Sequence, residues 1–292
     1  MLRKILVPLT GQPCDGAALE TAFLVAGPSG AHVEALFVRA DPRDAVPVAG
    51  EGMSGAMIER IMHAADTEAA TEARAANAAF ETARRHAGVP VVEHPPGPGG
   101  TTACWRESTG RAEDVLARDA RFADLVVFAR SGLAAGAAMA GTAMMIDLEA
   151  VLFGSARPIL LAPETPPATI GRTVAVAWDG GMEAARAVTA AMPLLIRAET
   201  VHLLTAEPQD TRSAQSERLA DYLACHGIAA RVTRFDPAGE PVGAALMARA
   251  SQAGADLVVM GGYGHSRVRE LILGGTTRYV LGHAGLPVLM AH

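Results

Sequence analysis

"ADLVVMGGYG" (Ala255 to Gly264) and "ADLVVFARSG" (Ala123 to Gly132) share their first five letters and their last. Each is an acid followed by an aliphatic run that stops at small residues, the profile of a buried strand entering a tight turn. Two further pairs occur in the same order along the chain. "RKILVPLTG" (Arg3 to Gly11) resembles "RTVAVAWDG" (Arg172 to Gly180), and "RPILLAP" (Arg157 to Pro163) resembles "LPVLMAH" (Leu286 to His292). Three matches in one order mark an internal duplication, with domains at 1–165 and 170–292 and the proline-rich "APETPPATIG" (Ala162 to Gly171) as the join.

Within each copy, short β-rich runs alternate with alanine-rich stretches of helical spacing, the pattern of a parallel α/β sheet covered on both faces. In the second copy, strands are expected near Val174 to Trp178, Thr200 to Ala206, Ala229 to Phe235, Asp256 to Gly261 and Pro287 to Met290. A helix is expected from Gln209 to His226, closed by Gly227. The first copy carries an insert over 41–87, in which the loop "DPRDAVPVAGEGMSG" (Asp41 to Gly55) leads into a helix from Ala56 to His86. Met57, Ile61, Ala65 and Phe80 are expected to form its buried stripe, against Glu68, Glu72 and Arg74. "TTACWREST" (Thr101 to Thr109) reads as a loop before a helix near Glu113, with Trp105 packed on the domain and Cys104 no nucleophile.

Composition removes several function classes. Half of the 292 residues are hydrophobic and only 4% are aromatic, which suits aliphatic α/β layers. A net charge of −6 and a pI near 5.8 speak against a nucleic-acid or acidic-membrane binder, whose affinity needs a basic face. Lys4 is the only lysine, so the chain lacks a Walker-type P-loop, and as a strand-start residue Lys4 is expected to be solvated. Cys14, Cys104 and Cys225 are odd in number and scattered, which argues against a disulfide framework or a metal site. "MLRKILVPLTG" is too short and too interrupted for a signal peptide, and a reducing cytoplasm is the expected compartment.

The stretch "MGGYGHSRVRELILGGTTRYVL" (Met260 to Leu281) holds Gly261, Gly264 and, after nine residues, Gly274, at the end of a strand where open sheets bind ligands. Glycines there permit close approach of a phosphate, and the amides of Gly274, Gly275, Thr276 and Thr277 would open the next helix toward an anion. A tight packing corner is the competing reading. With "KILVPLTG" and "VAVAWDGG" as opening strands, this spacing resembles the nucleotide-binding branch of the universal stress protein family, and the likeness spans nearly the whole chain.

The resemblance implies tandem five-stranded domains of strand order 3-2-1-4-5, related by a pseudo-twofold axis. It also implies ATP or a related adenine nucleotide in the second copy, with Mg2+ as its companion. Asp179 would meet ribose, the backbone at Ala206 would meet adenine, and Gly261, Gly264, Gly274, Gly275, Thr276 and Thr277 would hold phosphates. One departure is Gly275 itself, where such binders carry serine or threonine; its absence removes a hydrogen bond of roughly 1 kcal/mol. The first copy departs further, with Thr10 for Asp179, Ala129 for Gly261 and "MMIDL" (Met144 to Leu148) for the second glycine cluster, so no ATP is expected there.

Asp179 can equally cap the helix beginning near Gly181. His265 and Ser266 read as rim residues and no residue reads as catalytic. The function expected is a non-enzymatic stress-response module, with at most weak ATP hydrolysis and a protein partner that the sequence does not identify. Two alternatives stand beside it: a nucleotide-free interaction module, and an NAD-dependent enzyme disfavoured by the acid in "AWDGG". The terminal strands of the two copies are expected side by side and antiparallel, an intrachain pseudo-dimer, with a homodimer of whole chains left open.

Overall fold

A computed structural model describes residues 1–45, 54–95, 97, 99–130, 138–206, 213–263 and 275–292. The first half contributes β1 (Lys4–Leu9), β2 (His32–Arg39), β3 (Thr102–Thr109), β4 (Leu125–Ala129) and β5 (Ile159–Ala162). The second contributes β6 (Thr173–Ala177), β7 (Thr200–Ala206), β8 (Ala230–Phe235), β9 (Leu257–Gly261) and β10 (Val288–Ala291). All ten join one sheet of order β3-β2-β1-β4-β5-β10-β9-β6-β7-β8. Each half thus has the order 3-2-1-4-5, parallel throughout, and the halves meet through the antiparallel pair β5 and β10.

Helices α1 (Asp15–Ala26), α2 (Gly55–His86), α5 (Met182–Leu195) and α6 (Ser213–Ala224) share one face of the sheet; α3 (Ala112–Ala120), α4 (Ala138–Gly154), α7 (Val242–Gln252) and α8 (Thr276–His283) share the other. Two aliphatic layers result. Val33, Ala35 and Phe37 of β2 enter the first layer, while Leu36 enters the second, as the period of two in a strand requires.

The repeated "ADLVV" has a structural reason. Asp124 Oδ2 accepts from the amides of Arg3 (2.7 Å) and Lys4 (3.0 Å), and Asp256 accepts from those of Arg172 (3.2 Å) and Thr173 (3.0 Å). In each half the acid before the fourth strand fastens the start of the first. Gly11 (φ +78°) and Gly180 (φ +77°) also match, each turning the chain out of the first strand in a backbone conformation that favours glycine.

Three expectations change. "TTACWREST" is not a loop: β3 pairs with β2 along its whole length, from His32 opposite Thr102 to Arg39 opposite Thr109. Being an edge strand, it is buried only at Thr102 and Ala103, so its sequence lacks the apolar run of the central strands. Lys4 is not simply solvated, because its Nζ lies 2.7 Å from Glu34 Oε2 on β2. In α2 the buried stripe is Ala69, Ala73, Ala76, Phe80 and Ala83; Met57 is 54% exposed, since only the C-terminal part of this helix covers the sheet.

Candidate functional site

In the second half the strand order reverses between β6 and β9, and of the residues singled out in the sequence Asp179 and Gly261 lie at the C-terminal ends of these two strands. Asp179 follows β6 on an exposed loop, and its Oδ1 accepts from the amide of Gly181 at 2.8 Å, a local turn that leads into α5. The N-cap of α5 is Gly181, so Asp179 shapes the entry to the helix without itself being the cap. Ala206 ends β7, opposite Phe235 of β8.

Gly261 ends β9, and a Cβ there would lie 2.7 Å from the amide nitrogen of Ala184 in α5. A helix backbone fills the space a side chain would need, which gives this glycine a packing duty. Gly264 and Gly274, with His265 and Ser266 between them, lie outside the described residues. Tyr263 adopts φ +58°, and its amide donates to Thr277 Oγ1 at 3.2 Å. That bond ties the end of β9 to the first turn of α8.

Gly275 is the N-cap of α8, in extended conformation (φ −64°, ψ 156°), and offers no side-chain cap. No described group accepts from the amides of Thr276 and Thr277, as the geometry of a helix start dictates. Thr277 is buried, with its hydroxyl committed to Tyr263, whereas Thr276 is half-exposed. One group was missed by sequence reasoning. The indole Nε1 of Trp178 is buried and has no hydrogen-bond partner among the described residues, so an orphan donor sits beside Asp179 in sequence. The tryptophan in "AWDG" was its only signal.

The first half is built differently at the equivalent place. Thr10 and Ala129 follow or end β1 and β4, as the alignment of copies requires. The fully buried Asp15 accepts from the amides of Thr10 (3.0 Å) and Gly11 (2.8 Å), so the chain's own carboxylate occupies these loop donors. Burial pushes the Asp15 carboxyl up from its ordinary value, against the opposing effect of those two amides.

Cys104 is no activated nucleophile. Its Sγ lies 3.3 Å from Nε2 of His32; burial raises the thiol's pKa and lowers that of the imidazole, so the pair rests neutral. Cys14, Cys104 and Cys225 are all free thiols, and no group of three potential metal ligands converges among the described residues. No described helix is long and apolar enough to cross a membrane.

Residues 171–292 match the model of the universal stress protein family. No curated protein matches the chain in sequence. Among solved structures, a universal stress protein from Archaeoglobus fulgidus aligns over 99% of this chain and 95% of its own, with 16% identity and a TM-score of 0.65. A functionally unknown protein from Pseudomonas aeruginosa aligns over 99% and 92%, with 18% identity and a TM-score of 0.53. At such identities the likeness establishes the fold.

Proposed function

We propose, from the premise that residues 171–292 are a universal stress protein domain and that the whole chain shares the fold of a universal stress protein, a role as a tandem stress-response module whose second half binds ATP or a related adenine nucleotide. The domains are taken as 1–165 and 170–292. The observation that carries the reading is the start of α8: its first turn, with the uncapped amides of Thr276 and Thr277, is held to the end of β9 by the Tyr263 amide donating to Thr277 Oγ1, at the switch point of the sheet.

The donor set fits a nucleotide. Amides at a helix start suit phosphate, and Asp179 is an acceptor suited to a ribose hydroxyl. Ala206, Gly261, Gly264, Gly274 and Gly275 are proposed as the remaining backbone contacts, and Mg2+ as the counter-ion that would accompany the phosphates. The first half, whose loop amides already hold Asp15, is proposed not to bind the nucleotide. The nucleotide acts here as a regulatory signal, because phosphoryl transfer needs a metal-holding acid and a positioned base, roles for which the motif offers only Asp179.

A second reading, an interaction module without nucleotide, is favoured by the close approach of α5 to Gly261. Calorimetry of the full chain with ATP separates the two. Binding is expected, Gly264→Val is expected to abolish it, and Asp179→Ala is expected to weaken it less. An unchanged affinity in Gly264→Val would leave the packing corner as the role of the glycines.

A further inference from the structure

The crevice between β1 and β4 in the first half is a cavity of about 330 Å3, at the small end of pockets that hold organic molecules. Its walls are apolar, from Leu36, Phe37, Leu116, Phe128 and Met144. Two carboxylates, Glu72 and Asp147, also line it, and among the described residues no lysine or arginine does. Neither carboxylate has a hydrogen-bond or ion-pair partner among the described residues. The charge of Glu68 adds to that of Glu72, and Glu113, itself paired with Arg111, acts on Asp147.

Glu72 is held in place by the backbone. A Cβ on Gly11 would lie 2.6 Å from the Glu72 carbonyl oxygen, so the insert helix α2 rests directly on the loop after β1. The anion-binding donors of that loop are meanwhile consumed by Asp15. In the other half the duplicated crevice presents amides from which no described group accepts, and here it presents carboxylates with no partner among the described residues, within apolar walls.

We propose that this crevice binds a small organic cation, a protonated amine on an apolar body whose charge is neutralised by Asp147. The chemistry follows from what the site lacks. Unpaired carboxylates among aliphatic and aromatic side chains are costly until a counter-ion arrives, and an ammonium ion supplies that charge while its hydrocarbon part replaces water on the walls. A nucleotide or other anion is repelled by the same groups. Asp147 is pushed up to about 7 by burial and by Glu113, consistent with a carboxylate that has no resident cation. The inference stands apart from the nucleotide reading of the second half.

The test is calorimetry of the full chain near pH 8 with three probes of similar shape: 2-phenylethylamine, 2-phenylethanol and 3-phenylpropionate. Carbon-13 labels on the methionine methyls locate the ligand through Met144. The amine is expected to bind and to shift the Met144 methyl, the alcohol to bind at least about tenfold more weakly, and the carboxylate not to bind. Asp147→Asn, which removes an unpaired charge and keeps the shape, is expected to lower amine affinity at least about tenfold, with a smaller loss in Glu72→Gln. Equal binding of alcohol and amine, binding of the carboxylate, binding without a Met144 shift, or no binding of the amine would each overturn the proposal.

Discussion

Single residues show how one ancestral position takes opposite duties. Asp124 and Asp256 kept theirs, each fastening the first strand of its half through two amides. Asp147 has no acidic counterpart in the glycine-spaced segment and, with Glu72, makes the first-half crevice acidic. Asp147 carries a pH consequence. Its pKa in the folded chain is about 7, above the unfolded value of 3.8, so between these limits the folded state binds the extra proton. That contribution is fully present below about pH 4 and is lost as pH rises through 7. Asp147→Asn is therefore expected to raise the melting temperature increasingly from pH 4 to 7, with the gain level above about pH 8. A gain that does not vary with pH would place the carboxylate in water.

Secondary-structure elements depend on their neighbours more than on their own propensities. In β3, Trp105 lies against Phe37 (ring centroids 6.4 Å apart) and Phe80 of α2 (6.1 Å), while Arg106 on the other face donates to Glu34 and Asp119. The insert helix thus protects the edge of the sheet. The edges β5 and β10 protect each other: Leu161 faces Val288, Leu160 faces Leu289 and Ile159 faces Met290. Leu160 and Leu289 are equivalent in the two copies, so the pseudo-twofold axis passes between them. Pro158 and Pro287 directly precede the two strands, where a missing amide is tolerated. Leu289→Ala is expected to cost about 3 kcal/mol in urea unfolding. The two tryptophans, Trp105 and Trp178, report on one half each, and both are expected to shift together because the strand pair belongs to both cores.

Across the whole molecule, the first half holds the helix on which the proposed nucleotide site depends. The guanidinium of Arg130, just past β4, donates to the carbonyls of Gly282 and Ala284 at the C-terminal end of α8, favourable for a cation in charge as well as in bonding. Tyr263 Oη donates to Glu149 of α4 at 2.9 Å, and the rings of Phe153 and Tyr263 meet edge to face. Arg130→Ala is expected to speed hydrogen exchange in Thr276–His283 severalfold and to leave β1 and β2 unchanged, read by mass spectrometry. Equal protection in the variant would mean that α8 stands without help from the other half.

The duplication, the strand order implied by the family resemblance, the limits of most second-half strands and the insert helix were all legible in the sequence. They rest on periodicity and on repeated short words, which a linear chain displays directly. The residues proposed for the second-half site stand out in the sequence as a spacing. That Gly261 is filled by α5, that Thr277 is bonded to Tyr263 and that Trp178 is left with a buried donor were decided only in three dimensions. The strand nature of β3 was hidden because an edge strand takes its hydrogen bonds from a neighbour and needs little burial of its own. The acidic cavity was hidden for a related reason. Glu72 and Asp147 lie far apart along the chain, on two different helices, and only the packing of α2 and α4 around the end of β1 brings both carboxylates into one apolar space.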